Sequence, residues 1–387
     1  MNKKKLVLLL AAMMVLGSFS LSYVENKIVP DMNFAGEAVK ISLQQATDQM
    51  LKEGSGAETA ALNLKSAEAV AKGYNESAQS IRDLLEIQGV PLSVQATLPT
   101  QGDADLLKLQ REYATLQGPL NFEAEMNTLR ANTIKNYFTV LQATDALKIN
   151  QDNLAVQERI YKNTVKKYDL GVVSKQEVLQ AEIAVLSAKD AVAGAITGLN
   201  MAKMGLNTFL GYEVMQKLEL TDTLKAVPVS TVPLGEAIAK ALTNRNEIKA
   251  AGFALKIQEI LMSRTKVRYP FNSSTYLKQQ VALQNAQFGL DQALSGIEID
   301  VRSKYMTMMQ MQDAITKGTA SAAKAKELLR LAELSYSVGM NTVTDVQQVQ
   351  VMALGEQLSL SQDILDYNLA VDAYNTAMNA GTFKSPL

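Results

Sequence analysis

The sequence predicts an all-α fold made of two tandem repeats of a long antiparallel coiled-coil helical hairpin, with little or no β structure. A segment of about seventy residues recurs 168 positions later without a gap, which indicates an internal duplication. Apolar residues in both copies return at every seventh position, the period of a coiled coil. Proline is absent from residues 120–227 and 271–385, so one long helical hairpin fits within each span.

The chain starts with a segment that has the features of a secretory signal peptide, assigned to residues 1–20. Lysines precede an apolar run from Leu6 to Leu16, and small residues follow at Ser18 and Ser20. The run is too short for a finished transmembrane helix, which needs about 20 apolar residues. We therefore expect export across the cytoplasmic membrane into the cell envelope. A retained membrane anchor is the alternative.

Each half of the remaining chain is expected to begin with a short helix. Residues 41–46 resemble residues 232–237, and both contain a Leu-x-x-Ala helix start, at Leu43 and Leu234. Further along, the separation between the halves falls from 191 to 168 residues, so the first half carries 23 additional residues. These include a strand-like passage from Gly89 to Leu98.

The hairpins are predicted to pack along heptad seams, with alanine on one side of the first seam so that the helix backbones approach closely. Incoming helices of about 40 residues would be about 60 Å long. The second apolar flank of such a rod is expected to contact other helices or subunits, and a self-contained coiled coil is the alternative. The seam positions are Val140, Leu147, Leu154, Tyr161, Tyr168, Val178, Val185, Val192, Leu199 and Leu206, then Met308, Ile315, Ala322, Leu329, Tyr336, Val346, Ala353, Leu360, Tyr367 and Tyr374, with alanines at 181, 188, 195 and 202.

Each hairpin turns at a Tyr-x-x-Gly sequence, at residues 168–171 and 336–339. Glycine permits the positive φ that ends many helices, and Ser174 or Thr344 is predicted to cap the outgoing helix. Apolar residues flank each glycine. Capping alone does not require apolar residues at an exposed turn, so the pattern indicates a docking surface.

These assignments divide the chain into four parts. They are a signal peptide at 1–20, a first helical repeat at 41–212 with its tip at 168–174, a linker at 213–231, and a second helical repeat at 232–381 with its tip at 336–344.

The composition argues against an enzyme, a nucleic-acid-binding protein or a metalloprotein. Histidine, cysteine and tryptophan are absent, which removes the commonest general base, the usual zinc ligands and the thiol nucleophile. The charge is nearly balanced, with 38 basic and 39 acidic residues, so nucleic acid is not an expected partner. No phosphate-binding or nucleophile motif occurs. We expect no cofactor and no metal.

The order of the motifs resembles the TolC-type outer-membrane efflux protein family. This resemblance implies a homotrimer in which three pairs of hairpins form a twelve-helix tube, a TolC-like α-barrel. It also implies that the tips bind a periplasmic membrane-fusion adaptor protein, which works with an inner-membrane ABC or proton-driven pump. The motifs are Leu43 and Leu234, the two Tyr-x-x-Gly turns, Glu177-Val178, Asp345-Val346 and Leu210-Gly211. The implied adaptor contacts are Leu170, Gly171, Val172, Val338, Gly339 and Met340.

The same resemblance assigns an entrance or gate at the second tip. Tyr336 and Asp345 match the family pattern, whereas Asn341 stands in place of an arginine and Gln348 in place of a second aspartate. In a trimer, three Asp345 carboxylates around one axis would repel one another and attract cations. A simple role for Asp345 at the start of a helix is the alternative.

The sequence departs from the family where membrane-spanning strands would be inserted. Residues 263–274 form one charged connection interrupted by Pro270, too short for two spanning strands of about 9–11 residues each. We therefore expect a helical conduit or adaptor-binding tube without its own outer-membrane pore. The alternative function is a secreted helical spacer or interaction protein of the cell envelope that takes no part in transport.

Overall fold

The computed structural model describes residues 34–87 and 99–386, and over those residues it contains eight helices and two short strands. The signal peptide expected at residues 1–20 and the strand-like passage from Gly89 to Leu98 lie outside the described residues. The elements in chain order are β1 (Ala35–Ile41), α1 (Leu43–Glu53), α2 (Ser55–Leu85), α3 (Gln101–Asp169), α4 (Lys175–Leu210), β2 (Gln216–Leu220), α5 (Leu234–Asn244), α6 (Asn246–Arg268), α7 (Ser274–Ser337) and α8 (Val343–Ala377).

The prediction of an all-α fold with duplicated hairpins is confirmed by the helix boundaries. α3 and α7 end at Asp169 and Ser337, and α4 and α8 begin at Lys175 and Val343. Both pairs of positions are 168 residues apart, the offset of the sequence repeat. The two copies therefore reverse direction at equivalent residues.

The short helices α1 and α5 begin at Leu43 and Leu234, as the Leu-x-x-Ala pattern predicts. Only the first has a side-chain cap, because Ser42 forms a reciprocal capping box with Gln45. The equivalent position before α5 is Pro233, whose fixed φ of −64° suits a helix start.

The little β structure in the described residues is one parallel pair. β1 pairs with β2, with Val39 opposite Leu218 and Ile41 opposite Leu220. β2 lies within the segment predicted as a linker, and β1 begins ahead of residue 41. Leu218 is buried, so this small sheet closes the core at the start of the first hairpin.

The incoming helices are longer than the predicted 40 residues, and Pro119, expected to precede the first of them, lies inside α3. α3 has 69 residues and α7 has 64, so each is about 100 Å long. The residues just before this proline pack against α2 and against the next turn of α3. Gly118 lies so close to α2 that an added Cβ would be 2.9 Å from the Cβ of Ala67. Gln117 also donates to the side-chain oxygen of Asn121, 3.0 Å away.

The hairpin cores follow the predicted heptad seams. Most seam residues are buried, and Ala181 and Ala188 are buried as well, in keeping with close approach of the helices. The fully buried or nearly buried seam residues are Val140, Val178, Val185, Leu199 and Leu206 in the first copy, and Met308, Leu329, Tyr336, Val346, Ala353, Tyr367 and Tyr374 in the second.

An ion pair joins the start of α3 to the end of α6, at the end of the hairpins opposite the tips. Arg264 Nη2 lies 2.8 Å from Asp103 Oδ1, and the backbone N–H and hydroxyl of Thr100 donate to Asp103 Oδ2. These hydrogen bonds, that from Arg264 first, lower the pKa of Asp103 from 3.8 to about 2. Because the folded pKa is depressed, the stabilisation is present above pH 3.8 and is lost as the pH falls through 2.

We expect Asp103→Asn to lower the free energy of unfolding at pH 7 by about 1 kcal/mol, since solvent screens this partly exposed pair. The difference from the wild type should shrink below pH 4 and vanish near pH 2. Urea unfolding at several pH values measures it. Asp105→Asn, two residues further along α3 and exposed, is the matched control. A deficit that stays constant with pH would show that the ion pair is not the cause.

None of the helices within residues 34–87 and 99–386 has the combination of length and hydrophobicity that membrane crossing requires.

Candidate docking site at the hairpin tips

The two hairpin tips have the same backbone geometry. Gly171 and Gly339 have φ values of +72° and +82°, the left-handed region expected from the sequence. The next residue donates its backbone N–H back to the preceding helix, from Val172 to the Lys167 carbonyl at 2.8 Å and from Met340 to the Ser335 carbonyl at 2.9 Å. This hydrogen-bonding pattern is that of a Schellman motif, which satisfies carbonyls at the helix end.

Each outgoing helix begins with a reciprocal capping box. Ser174 and Glu177 form the first, as predicted. The predicted cap at Thr344 is wrong, because Thr342 caps α8 and pairs with Asp345. A capping box requires the acid three residues after the cap, and this spacing selects Thr342. The hydroxyl of Thr344 instead lies 3.3 Å from Gln180 Oε1 in the first hairpin.

Four apolar side chains project into solvent around the two tip glycines. Leu170 is 79% exposed and Val172 is 64% exposed, while Val338 and Met340 are 66% and 80% exposed. The sequence predicts this exposure. The turns place no other described side chain over these residues that would bury them. Each tip therefore presents two apolar side chains on a rigid, hydrogen-bonded turn.

Tyr336, one of the two predicted entrance residues, is buried between the hairpins. Its hydroxyl lies 2.7 Å from the hydroxyl of Thr164, and Lys167 Nζ is 3.9 Å from the centre of its ring. Lys167 also donates to the Tyr336 carbonyl. Burial raises the pKa of Tyr336. Its counterpart in the first copy, Tyr168, is 41% exposed, with Lys175 Nζ 5.6 Å from its ring.

Asp345, the other predicted entrance residue, is exposed at the start of α8. A hydrogen bond from the backbone N–H of Thr342, followed by one from its hydroxyl, lowers the pKa of Asp345. Within one chain the structure thus gives Asp345 the role of a helix-capping acid and gives Tyr336 a role in packing. It does not bring their side chains into one cluster.

Polar contacts hold the two hairpins side by side near the tips. Arg159 donates to both carboxylate oxygens of Glu333, at 2.7 and 2.9 Å. Gln350 Nε2 donates to Asn153 Oδ1 at 2.6 Å in a buried position further from the tips. An apolar cluster continues between these contacts. The tips therefore form one surface instead of two independent ends.

Lys167 and Thr164 were not predicted as parts of this region. A usable signal exists in the duplication, because Lys167 corresponds to Ser335 in the second copy. A lysine in only one of two otherwise similar helix ends indicates a contact that the other copy lacks. Among the described residues, no cluster of three or more carboxylates is arranged to hold a metal ion.

Comparisons with known proteins agree with the resemblance stated from the sequence. A family model described as outer membrane efflux protein matches residues 108–212. The family is one of efflux proteins and not of enzymes, in agreement with the expectation from composition. No curated protein matches the chain.

Solved structures of bacterial membrane proteins share the fold. The outer membrane protein VceC from Vibrio cholerae is 14% identical with a TM-score of 0.69, and the match covers 88% of this chain and 97% of VceC. A membrane protein from Pseudomonas aeruginosa is 13% identical with a TM-score of 0.71, covering 88% of this chain and 90% of that protein. The CmeC channel from Campylobacter jejuni is 15% identical with a TM-score of 0.66, covering 89% and 87%. These matches confirm the TolC-like fold.

Proposed function

We propose that this chain is an exported component of a tripartite efflux or secretion system. Three copies form a helical conduit in the cell envelope, and its tips dock an adaptor protein that links the conduit to an inner-membrane ABC or proton-driven pump. The observation that carries the proposal is the pair of identically built tips, which expose apolar side chains at one end of a long double hairpin.

Exposed apolar stripes on the helix shafts support assembly into a larger tube. On α4, Leu179, Ile183 and Leu186 are 47%, 62% and 44% exposed and lie at helical spacing on one face. On α7, Leu328 and Leu331 are 49% and 44% exposed, one turn apart. A monomeric soluble protein seldom leaves such stripes uncovered. Neighbouring copies of the chain would cover them in a closed ring, as the family resemblance implies.

The entrance assignment remains part of this proposal. In a trimer, three Asp345 carboxylates at the start of α8 would surround one axis, and their mutual repulsion would raise the pKa that Thr342 lowers within one chain. We expect Asp345→Ala to weaken the binding of divalent cations to the assembled trimer, measured with Mn²⁺ by isothermal titration calorimetry. Cation binding equal to that of the wild type would contradict a place for Asp345 at the entrance.

Light scattering and negative-stain microscopy of the purified chain test the proposal. The expected result is the mass of three chains and a hollow cylinder in end views. A binding measurement with a purified adaptor from the same cell should then localise the contact to the tips. A monomer, or a solid rod without a lumen, would contradict the conduit and favour a helical spacer of the envelope.

A further inference from the structure

The two copies of the tip differ sharply in charge although their backbones are alike. Residues 159–177 contain five cations and two carboxylates, whereas the equivalent residues 327–345 contain one cation and three carboxylates. Each tip, taken with the helical turns that flank it in these ranges, thus carries a net charge of +3 in the first copy and −2 in the second. Helix capping requires neither of these values, since each tip already has its acid in a capping box.

The acids of the second tip are already engaged within the chain. Glu333 accepts two hydrogen bonds from Arg159, and Glu327 accepts two from Arg330. Asp345 accepts its hydrogen bonds at the start of α8. The negative charge of this tip is therefore largely committed to local contacts.

The first tip, in contrast, has lysine side chains that form no ion pair among the described residues. Lys162 and Lys166 are exposed and lie one helical turn apart on α3. Within the part of the chain that the structure describes, neither ammonium group has an ionic or hydrogen-bond partner. Both lie within three turns of the exposed apolar pair Leu170 and Val172.

A groove between α3 and α7 extends this cationic surface. Its volume is about 280 Å³, and Arg159, Lys166 and Lys167 line the α3 side. Glu333 and Tyr336 line the α7 side. The walls of the groove offer more positive than negative groups.

We infer that the first tip binds a partner hairpin whose end carries acidic side chains beside apolar ones. The partner's carboxylates contact Lys162 and Lys166, while its apolar residues contact Leu170 and Val172. The second tip contributes mainly apolar contact through Val338 and Met340. This inference rests on the proposed function, because it specifies the chemistry of the protein that docks there. Charge complementarity of this kind sets specificity and association rate.

Two synthetic antiparallel helical hairpins that differ in sequence at only two positions test the inference. Leucines form the end of both, and they are flanked by two glutamates in one probe and by two lysines in the other. Fluorescence anisotropy at low salt should show about tenfold tighter binding of the acidic probe, a modest preference because the ion pairs are exposed. The preference should diminish at high salt.

Charge reversal at the first tip provides the decisive comparison. The double variant Lys162→Glu with Lys166→Glu should bind the basic probe better than the acidic one. The matched control, Lys108→Glu with Lys278→Glu, changes the charge equally at exposed positions near the opposite end and should keep the acidic preference. If the wild-type protein bound the two probes equally, preferred the basic probe, or bound neither, the inference would be overturned.

Negative-stain microscopy shows whether the charge inference or the proposed conduit has failed. A hollow trimer without the acidic preference would overturn only the inference about charge. An acidic preference in a chain that forms no trimer would overturn the conduit and leave the charge selectivity of the tip in place.

Discussion

Replacing Arg245 with alanine is expected to lower the free energy of unfolding by about 3–5 kcal/mol, the range for breaking a buried ion pair. The side chain is only 10% exposed at the junction of α5 and α6. Its guanidinium donates to both carboxylate oxygens of Glu247 and, at 2.9 Å, to Asp300 Oδ2 on α7. It also lies against Gly381, whose added Cβ would be 2.8 Å from Arg245 Nε. One side chain therefore joins α6, α7 and the C-terminal segment.

The pH dependence of this variant follows from the charges around Arg245. Burial raises the pKa of Asp300, but hydrogen bonds from Lys304 and Arg245 outweigh burial and lower it overall. A depressed carboxyl pKa stabilises the fold above the unfolded value of 3.8, and that stabilisation is lost as the pH falls through the folded value. Arg245→Ala removes one of the two donors, so the variant should lose less stability on acidification than the wild type.

Urea unfolding at neutral and acidic pH measures both effects. Arg302→Ala is the matched control, because Arg302 lies on α7 and pairs with Glu298 in an exposed position, with the two side chains 50% and 44% exposed. We expect that control to change the stability by less than about 0.5 kcal/mol. Equal losses for the two variants would mean that the buried network does not stabilise the fold more than a surface pair.

Much of this fold can be predicted from the sequence because the sequence contains an internal duplication. Two copies at a fixed offset show which residues are equivalent, so the positions of Gly171 and Gly339 support each other. The heptad period then determines which residues are buried along the seams, and Val185 and Ala353 are among those that the structure confirms. The exposure of the tip residues follows as well, since a turn between two packed helices has no neighbour to cover it.

Features that depend on contacts between distant segments were not predictable in the same way. Pro119 normally indicates a helix boundary, but α3 continues through it, and the preceding Gly118 packs closely against α2. Arg245 is an ordinary surface residue type, and its burial depends on the C-terminal segment that crosses it. The pairing of Tyr336 with Thr164 joins residues 172 positions apart. No local pattern specifies such pairs.

The second large effect is expected from proline at both tip glycines. Gly171→Pro with Gly339→Pro should reduce adaptor binding by at least about 100-fold, since the apolar side chains depend on the turn for their placement. Proline fixes φ near −65°, far from +72° and +82°. It also removes the N–H groups that Gly171 and Gly339 donate to Tyr168 and Tyr336. Hydrogen exchange should rise at the tip amides and stay unchanged along the seams.

Alanine at the same two positions tests whether binding depends on the turn or on glycine itself. Gly171→Ala with Gly339→Ala keeps both N–H donors and adds strain of about 1–2 kcal/mol per site, because a left-handed conformation is costly for a residue with a Cβ. The space beside each glycine is open, so an added methyl group would meet no atom within 4 Å. We therefore expect the alanine variant to retain most of its adaptor binding. Full binding by the proline variant would show that the adaptor docks elsewhere on the chain, because no arrangement of these tips with proline at residues 171 and 339 preserves the observed turn.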